Sequence, residues 1–163
     1  MKSVTLFDLV LLTSMLGSGI VAGVFFIFSV CIMKVLGAQP AAQGIATMQA
    51  INVVIISPWF LSVFVGTALS GAYLFVAVLA SSHGTTGILA LAGSVAYVAG
   101  SFLVTMAFNV PRNDALAALE PGSAAAATLW TAYLSSWTAW NHVRTVASVL
   151  GTALFGMALW LRS

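Results

Sequence analysis

The segment "LVLLTSMLGSGIVAGVFFIFSVCIM", residues 9–33, contains no Lys, Arg, Asp or Glu. It exceeds the roughly 20 apolar residues that a helix needs to cross a hydrocarbon core. Its apolar residues run continuously instead of alternating, which favours a helix over a barrel strand. Working outward, the stretch from Val35 to Val110 is equally free of formal charge. Of the 163 residues, 61% are hydrophobic and 5% charged, where a soluble domain carries roughly 25% charged residues. Water could not hydrate such a surface. Because lipid offers no partner for backbone polar groups, spans must satisfy them internally. The predicted class is all-α: an integral membrane four-helix bundle in a plasma or inner membrane.

Lys2 ahead of an apolar run resembles a signal peptide. The run is longer than an h-region of about 7–15 residues and shows no convincing cleavage site, so it is expected to be a retained span. Single spans are expected at about 7–36, 51–80, 87–108 and 138–161. Together they form one transmembrane domain over 1–163. Gly17, Gly19 and Gly23, with Gly66 and Ser70, offer small faces for close helix contact. Pro58 is expected to kink the second helix, and Pro40 suits a first helical turn. The third connection is too long for a turn, and short helices are expected after Pro111 and after Ser123, a good N-cap. Counting Lys2 and Arg162 against Lys34 and Arg112, with Arg144 near the boundary, leaves the orientation open.

This topology brings "MQAIN" (48–52), "FNVPRND" (108–114) and "WTAWNHVR" (137–144) to one end of the bundle, with Ser29 and Lys34. Polar side chains in membrane helices are expensive and tend to face the bundle interior or a cavity. A polar pocket is therefore expected at that end, formed by the first and third connections. Gln49 and Asn52 share a face, as do Asn109 and Asn113 if the helix runs on through Pro111. Trp137, Trp140, Asn141, Arg144, Ser148 and Gly151 fall in one helical stripe, and His142 points away from it.

Each feature has a plainer reading. Trp130, Tyr133, Trp137 and Trp140 suit an interfacial belt as well as a stacking surface. Gln49, Asn52, Asn109 and Asn113 suit interhelical hydrogen bonds as well as a site. The alignment of Arg144 with Asn141 favours an inward role over snorkelling. His142 reads as an interfacial residue, and Asp114 beside Arg112 as a solvated charge near a helix start. Cys31 reads as a small hydrophobe. There is no CxxCH, Gly-rich nucleotide loop or HExxH. Asp114 and Glu120 could join His142 around a metal, but at no familiar spacing. No cofactor and no metal are expected. The few basic residues are spread along the chain, which argues against nucleic acid.

The order "GVFFIFSVCIMKVLG", "MQAIN", "NVPRNDALA" and "WTAWNHVRT" resembles the anthrone oxygenase-like family of small four-helix membrane proteins. The resemblance covers roughly Gly17 to Ser148. It implies O₂-dependent oxidation of a small flat aromatic substrate without a recognised organic cofactor. It also implies that the signature polar residues are Gln49, Asn52, Asn109, Asn113, Trp140, Asn141, His142 and Arg144. On that reading Arg144, Asn141 and Gln49 would stabilise an oxyanion, and His142, with a suitable unperturbed pKa, would be the base. Trp137 and Trp140 would stack on the rings, and Asn52, Asn109 and Asn113 would help bind substrate. The expected partners are that substrate, O₂ and membrane lipid, with homo-oligomerisation left open. A non-catalytic lipid- or quinone-binding subunit is the alternative. A transporter fits less well, without a detectable inverted repeat or an acidic intramembrane residue.

Overall fold

The computed structural model describes residues 3–81 and 83–162. Lys2, counted in the charge balance above, lies outside them. Four helices are long and apolar enough to cross a membrane: α1 (Leu6–Ala38), α3 (Pro58–Ala80), α4 (Gly84–Ala117) and α5 (Ala124–Trp160). A shorter helix, α2 (Ala41–Val54), lies between the first two. The long helices close a ring in which α5 packs on α1 and α4, and α3 packs on the same two from the other side. Each long helix turns large apolar side chains outward, among them Leu16, Leu69, Ile88 and Val146. A lipid-facing surface requires that arrangement.

Small residues set how closely the helices approach. A Cβ on Gly17 would stand 2.0 Å from Thr67 Oγ1, so α1 and α3 touch almost backbone to side chain there. Hydroxyls then tie the core: Ser18 Oγ donates to Ser148 O at 2.8 Å, and Ser148 Oγ to Ser101 Oγ at 3.0 Å. At one end, Thr5 and Asp8 form a capping box, and Asp8 pairs with Arg162 from the last turn. Phe7 beside them stacks on His83 at 4.4 Å.

Three expected boundaries are corrected. Pro58 does not kink a helix running from 51; it starts one. Ser57 is extended (φ −93, ψ 149) and its hydroxyl caps Phe60 N–H at 3.3 Å, because the residue before proline is pushed out of the helical region. "MQAIN" therefore sits on α2, outside the second span. Next, α4 does not end at Phe108 but continues through Pro111 to Ala117. Two π-helical segments, Val98–Leu103 and Thr105–Asn109, loosen it just before the proline, and Arg112 Nη1 donates to Phe108 O at 2.6 Å. Finally, the helix capped by Ser123 is not separate from the fourth span. With no proline between 124 and 160, both are one helix, whose overhanging first turns hold α2 through Trp130 and Tyr133.

Candidate functional site

Arg144 lies at the centre of the polar stripe on α5 and is 4% exposed. Its Nη2 donates to Asn141 Oδ1 at 2.6 Å and its Nη1 to Thr105 Oγ1 at 3.2 Å. The guanidinium carbon stands 4.0 Å from the Phe25 ring centroid and 5.0 Å from that of Trp137. Cation–π contacts of this kind offset part of the desolvation cost. No carboxylate pairs with Arg144 among the described residues, and its Nε, buried, has no hydrogen-bond partner.

The Asn141 amide is fixed from both sides. Its Nδ2 donates to Phe25 O and to Ser29 Oγ, each at 2.7 Å. Thr145 gives its proton to Asn141 O at 2.8 Å, so Ser29 donates to Thr145 Oγ1 at 3.2 Å. The π segment Phe28–Ile32 in α1 begins three residues after Phe25. It contains Ser29 of this network, and the second α4 π segment contains Thr105 and Asn109. Such segments tend to mark functional sites; nothing in the sequence reading anticipated them.

A second layer orients the aromatic wall. Asn113 Oδ1 accepts from Tyr133 Oη and from Trp137 Nε1, both at 2.8 Å. Asn109 Nδ2 donates to Trp137 O at 3.2 Å, while its buried Oδ1 has no partner. Gln49 Nε2 donates to Leu116 O and Leu119 O, both at 2.9 Å, satisfying carbonyls at the end of α4. Asn52 Nδ2 is buried and makes no hydrogen bond of good geometry, although its amide lies beside the Tyr133 hydroxyl. Among the described residues, three of the five buried side-chain N and O atoms without a hydrogen bond belong to Asn52, Asn109 and Arg144. Such atoms are expensive in a low-dielectric interior unless something else satisfies them.

These residues border a cavity of about 430 Å³. Its wall is mainly apolar, with Phe25, Phe28, Phe60, Phe64 and Trp137 among the lining side chains. Polar groups reach it at Gln49, Asn52, Thr105, Asn113, Asp114 and Arg144. Of the expected site residues, Gln49, Asn52, Asn113, Trp137 and Arg144 line the cavity. Asn109 and Asn141 act one layer behind it. Trp140 and His142 stand elsewhere. Trp140 stacks on Phe108 at 3.6 Å, and His142 is exposed in a separate groove with Lys34, Ser135 and Thr138.

Asp114 was missed as a cavity residue. The signal was present: Val110, Asn113, Asp114 and Ala117 follow i, i+3, i+4, i+7 spacing and all line the cavity. The pattern is visible only once the helix is carried through Pro111. No group of three or more His, Cys, Asp or Glu side chains suited to a metal ion occurs among the described residues.

Fold and site together define an all-α protein with four helices long and apolar enough to cross a membrane, and an aromatic cavity beside an arginine that pairs with no carboxylate among the described residues. The family model for anthrone oxygenase matches residues 57–154, and the chain belongs to that family. No curated protein and no solved structure matches the chain. The matched region supplies Arg144, Asn141, Asn113 and Asp114. Phe25, Gln49 and Asn52 come from α1 and α2, before it begins.

Proposed function

We propose that this protein is a membrane oxidoreductase that uses O₂ to oxidise a small, flat, apolar substrate of the anthrone type within the α1–α2–α3–α4–α5 cavity. Arg144 carries the reading. A buried guanidinium paired with no carboxylate among the described residues, with its Nε–H unsatisfied and an aromatic slot beside it, suits an oxygen that becomes anionic during reaction. A carboxylate partner would quench that role, and water would weaken it.

The chemistry balances without an additional redox partner. Loss of a proton from the activated CH₂ leaves an electron pair delocalised onto the carbonyl oxygen beside Arg144. The carbanion passes an electron to O₂, and recombination forms a C–O bond as a hydroperoxide. Loss of water then gives the second carbonyl, so CH₂ and O₂ become C=O and H₂O. Asn141 holds the guanidinium in place, and Asn113 and Asn109 hold Trp137 as one wall of the slot.

The cavity edge includes Val53 and Ile56, which are 74% and 67% exposed, together with Leu61 and Met106. These side chains would let an apolar molecule reach the site from the bilayer. The same feature supports the alternative of a non-catalytic quinone- or lipid-binding protein. Purified protein in lipid nanodiscs should consume O₂ with an anthrone and release the anthraquinone faster than buffer does. Co-purified quinone without any turnover would favour the binding role instead.

A further inference from the structure

We infer that Asp114, and not His142, takes the substrate proton in this cavity and hands it to water. The inference rests on the oxidase reading above. Among the described residues Asp114 is the one carboxylate that lines the cavity, and it comes from α4 while Arg144 comes from α5. The two charges share the cavity without forming an ion pair. Opposite charges in an apolar space would ordinarily collapse together. Here Arg144 is held back by Asn141 and Thr105 and by its stacking on Phe25.

Separation is what the reaction needs. In an anthrone the carbonyl oxygen and the acidic CH₂ lie at opposite ends of the central ring. One end must meet a cation and the other a base, so an acid–base pair in direct contact could not serve both. Asp114 is also exposed, which would give a proton received from the cavity a route to water. His142 has neither property. It opens onto the groove with Lys34 and Ser135 on another face of α5, and it does not line the cavity.

The balance is simple: the C–H bond breaks, its pair stays with the substrate and delocalises to the oxygen at Arg144. The proton goes to an Asp114 carboxylate oxygen, then to solvent. Two readouts separate this step from oxidation. Without O₂, in D₂O, the wild-type chain in nanodiscs should exchange the anthrone CH₂ protons for deuterium faster than buffer, followed by proton NMR. Asp114→Asn should lower that exchange about 100-fold, Asp114→Glu should retain part of it, and His142→Ala should leave it unchanged. Binding of an anthraquinone, followed by tryptophan quenching, should be preserved in all three.

Equal exchange by wild type and Asp114→Asn overturns the assignment, as does a loss confined to His142→Ala. Loss of exchange together with loss of quinone binding would make Asp114 a structural residue and also overturns it. Exchange that depends on Asp114 but gives no anthraquinone when O₂ is admitted sinks the oxidase reading and keeps the proton role. Wild-type exchange no faster than buffer sinks both.

Discussion

Arg144 lies within α5 and Arg162 in the turn just after it, and the two could hardly be treated more differently. Arg162 closes the bundle end by pairing with Asp8, whose carboxylate also accepts from Thr5 N–H at 2.9 Å. Its guanidinium also stands 5.2 Å from the Phe7 ring. That end is a finished structure: charge against charge, cap against cap. Arg144 is more deeply buried, pairs with no carboxylate among the described residues, and makes no hydrogen bond through Nε–H. A buried ion is costly, and removing its partner costs several kcal/mol more. On the proposed function, the substrate's developing negative charge would meet this cation.

The comparison breaks most directly at Arg144. Replacing it with Met should cut O₂-dependent turnover by about 100-fold or more, since a single oxyanion donor is worth that much elsewhere. Losing the charge relieves its desolvation cost but leaves Asn141 Oδ1 without its donor, so the melting temperature in nanodiscs should change little. A variant that loses stability along with activity would mean Arg144 serves mainly as a structural tie.

Asn141→Leu should act next most strongly. It removes one hydrogen bond each from Phe25 O and Ser29 Oγ and frees the guanidinium, costing about 1–3 kcal/mol. Thermal unfolding should register this, and turnover should drop roughly tenfold as Arg144 loses its anchor. Rescue by Asn141→Gln would argue that amide position matters little.

Gly44→Val tests whether α2 is a wall of the site or a bystander. A Cβ there would stand 2.6 Å from Leu36 O and 3.0 Å from Trp130, so α2 must move away from α1 and α5. Overpacking of this sort costs about 1–3 kcal/mol. If α2 bounds the cavity, quinone affinity should fall with stability, by tryptophan quenching. Unchanged affinity would remove α2 from the site.

Asp8→Asn, at the finished end, should do least. Partly exposed ion pairs are worth about 0–1 kcal/mol, so unfolding should shift slightly and turnover should not change. A large loss of turnover would show that the two ends communicate.

Much of this was readable beforehand. The uncharged run from Val35 to Val110 forces the backbone to satisfy itself, and that alone demands apolar helices. The stripe of Trp137, Asn141, Arg144 and Ser148 follows from 3.6-residue periodicity, and all four are buried as that stripe requires. The same geometry separated His142 from them. The pocket itself differs from the expectation: its lining is mainly apolar, and its polar members lie at particular points on the wall.

What escaped the sequence depended on how segments met. Pro58 and Pro111 are chemically alike, yet one starts a helix and the other lies within one. The difference comes from Ser57, which caps the new helix, and from the π segment and Arg112, which accommodate the gap. The sequence by itself determined four apolar helices, the polar end and the inward face of α5. Those follow from solvation and helical period, which act on each segment alone. Only the tertiary structure decided that Asp114 joins Arg144 in one cavity, and that Trp140 and His142 stay out. Those outcomes depend on which valences remain unfilled once every helix has packed.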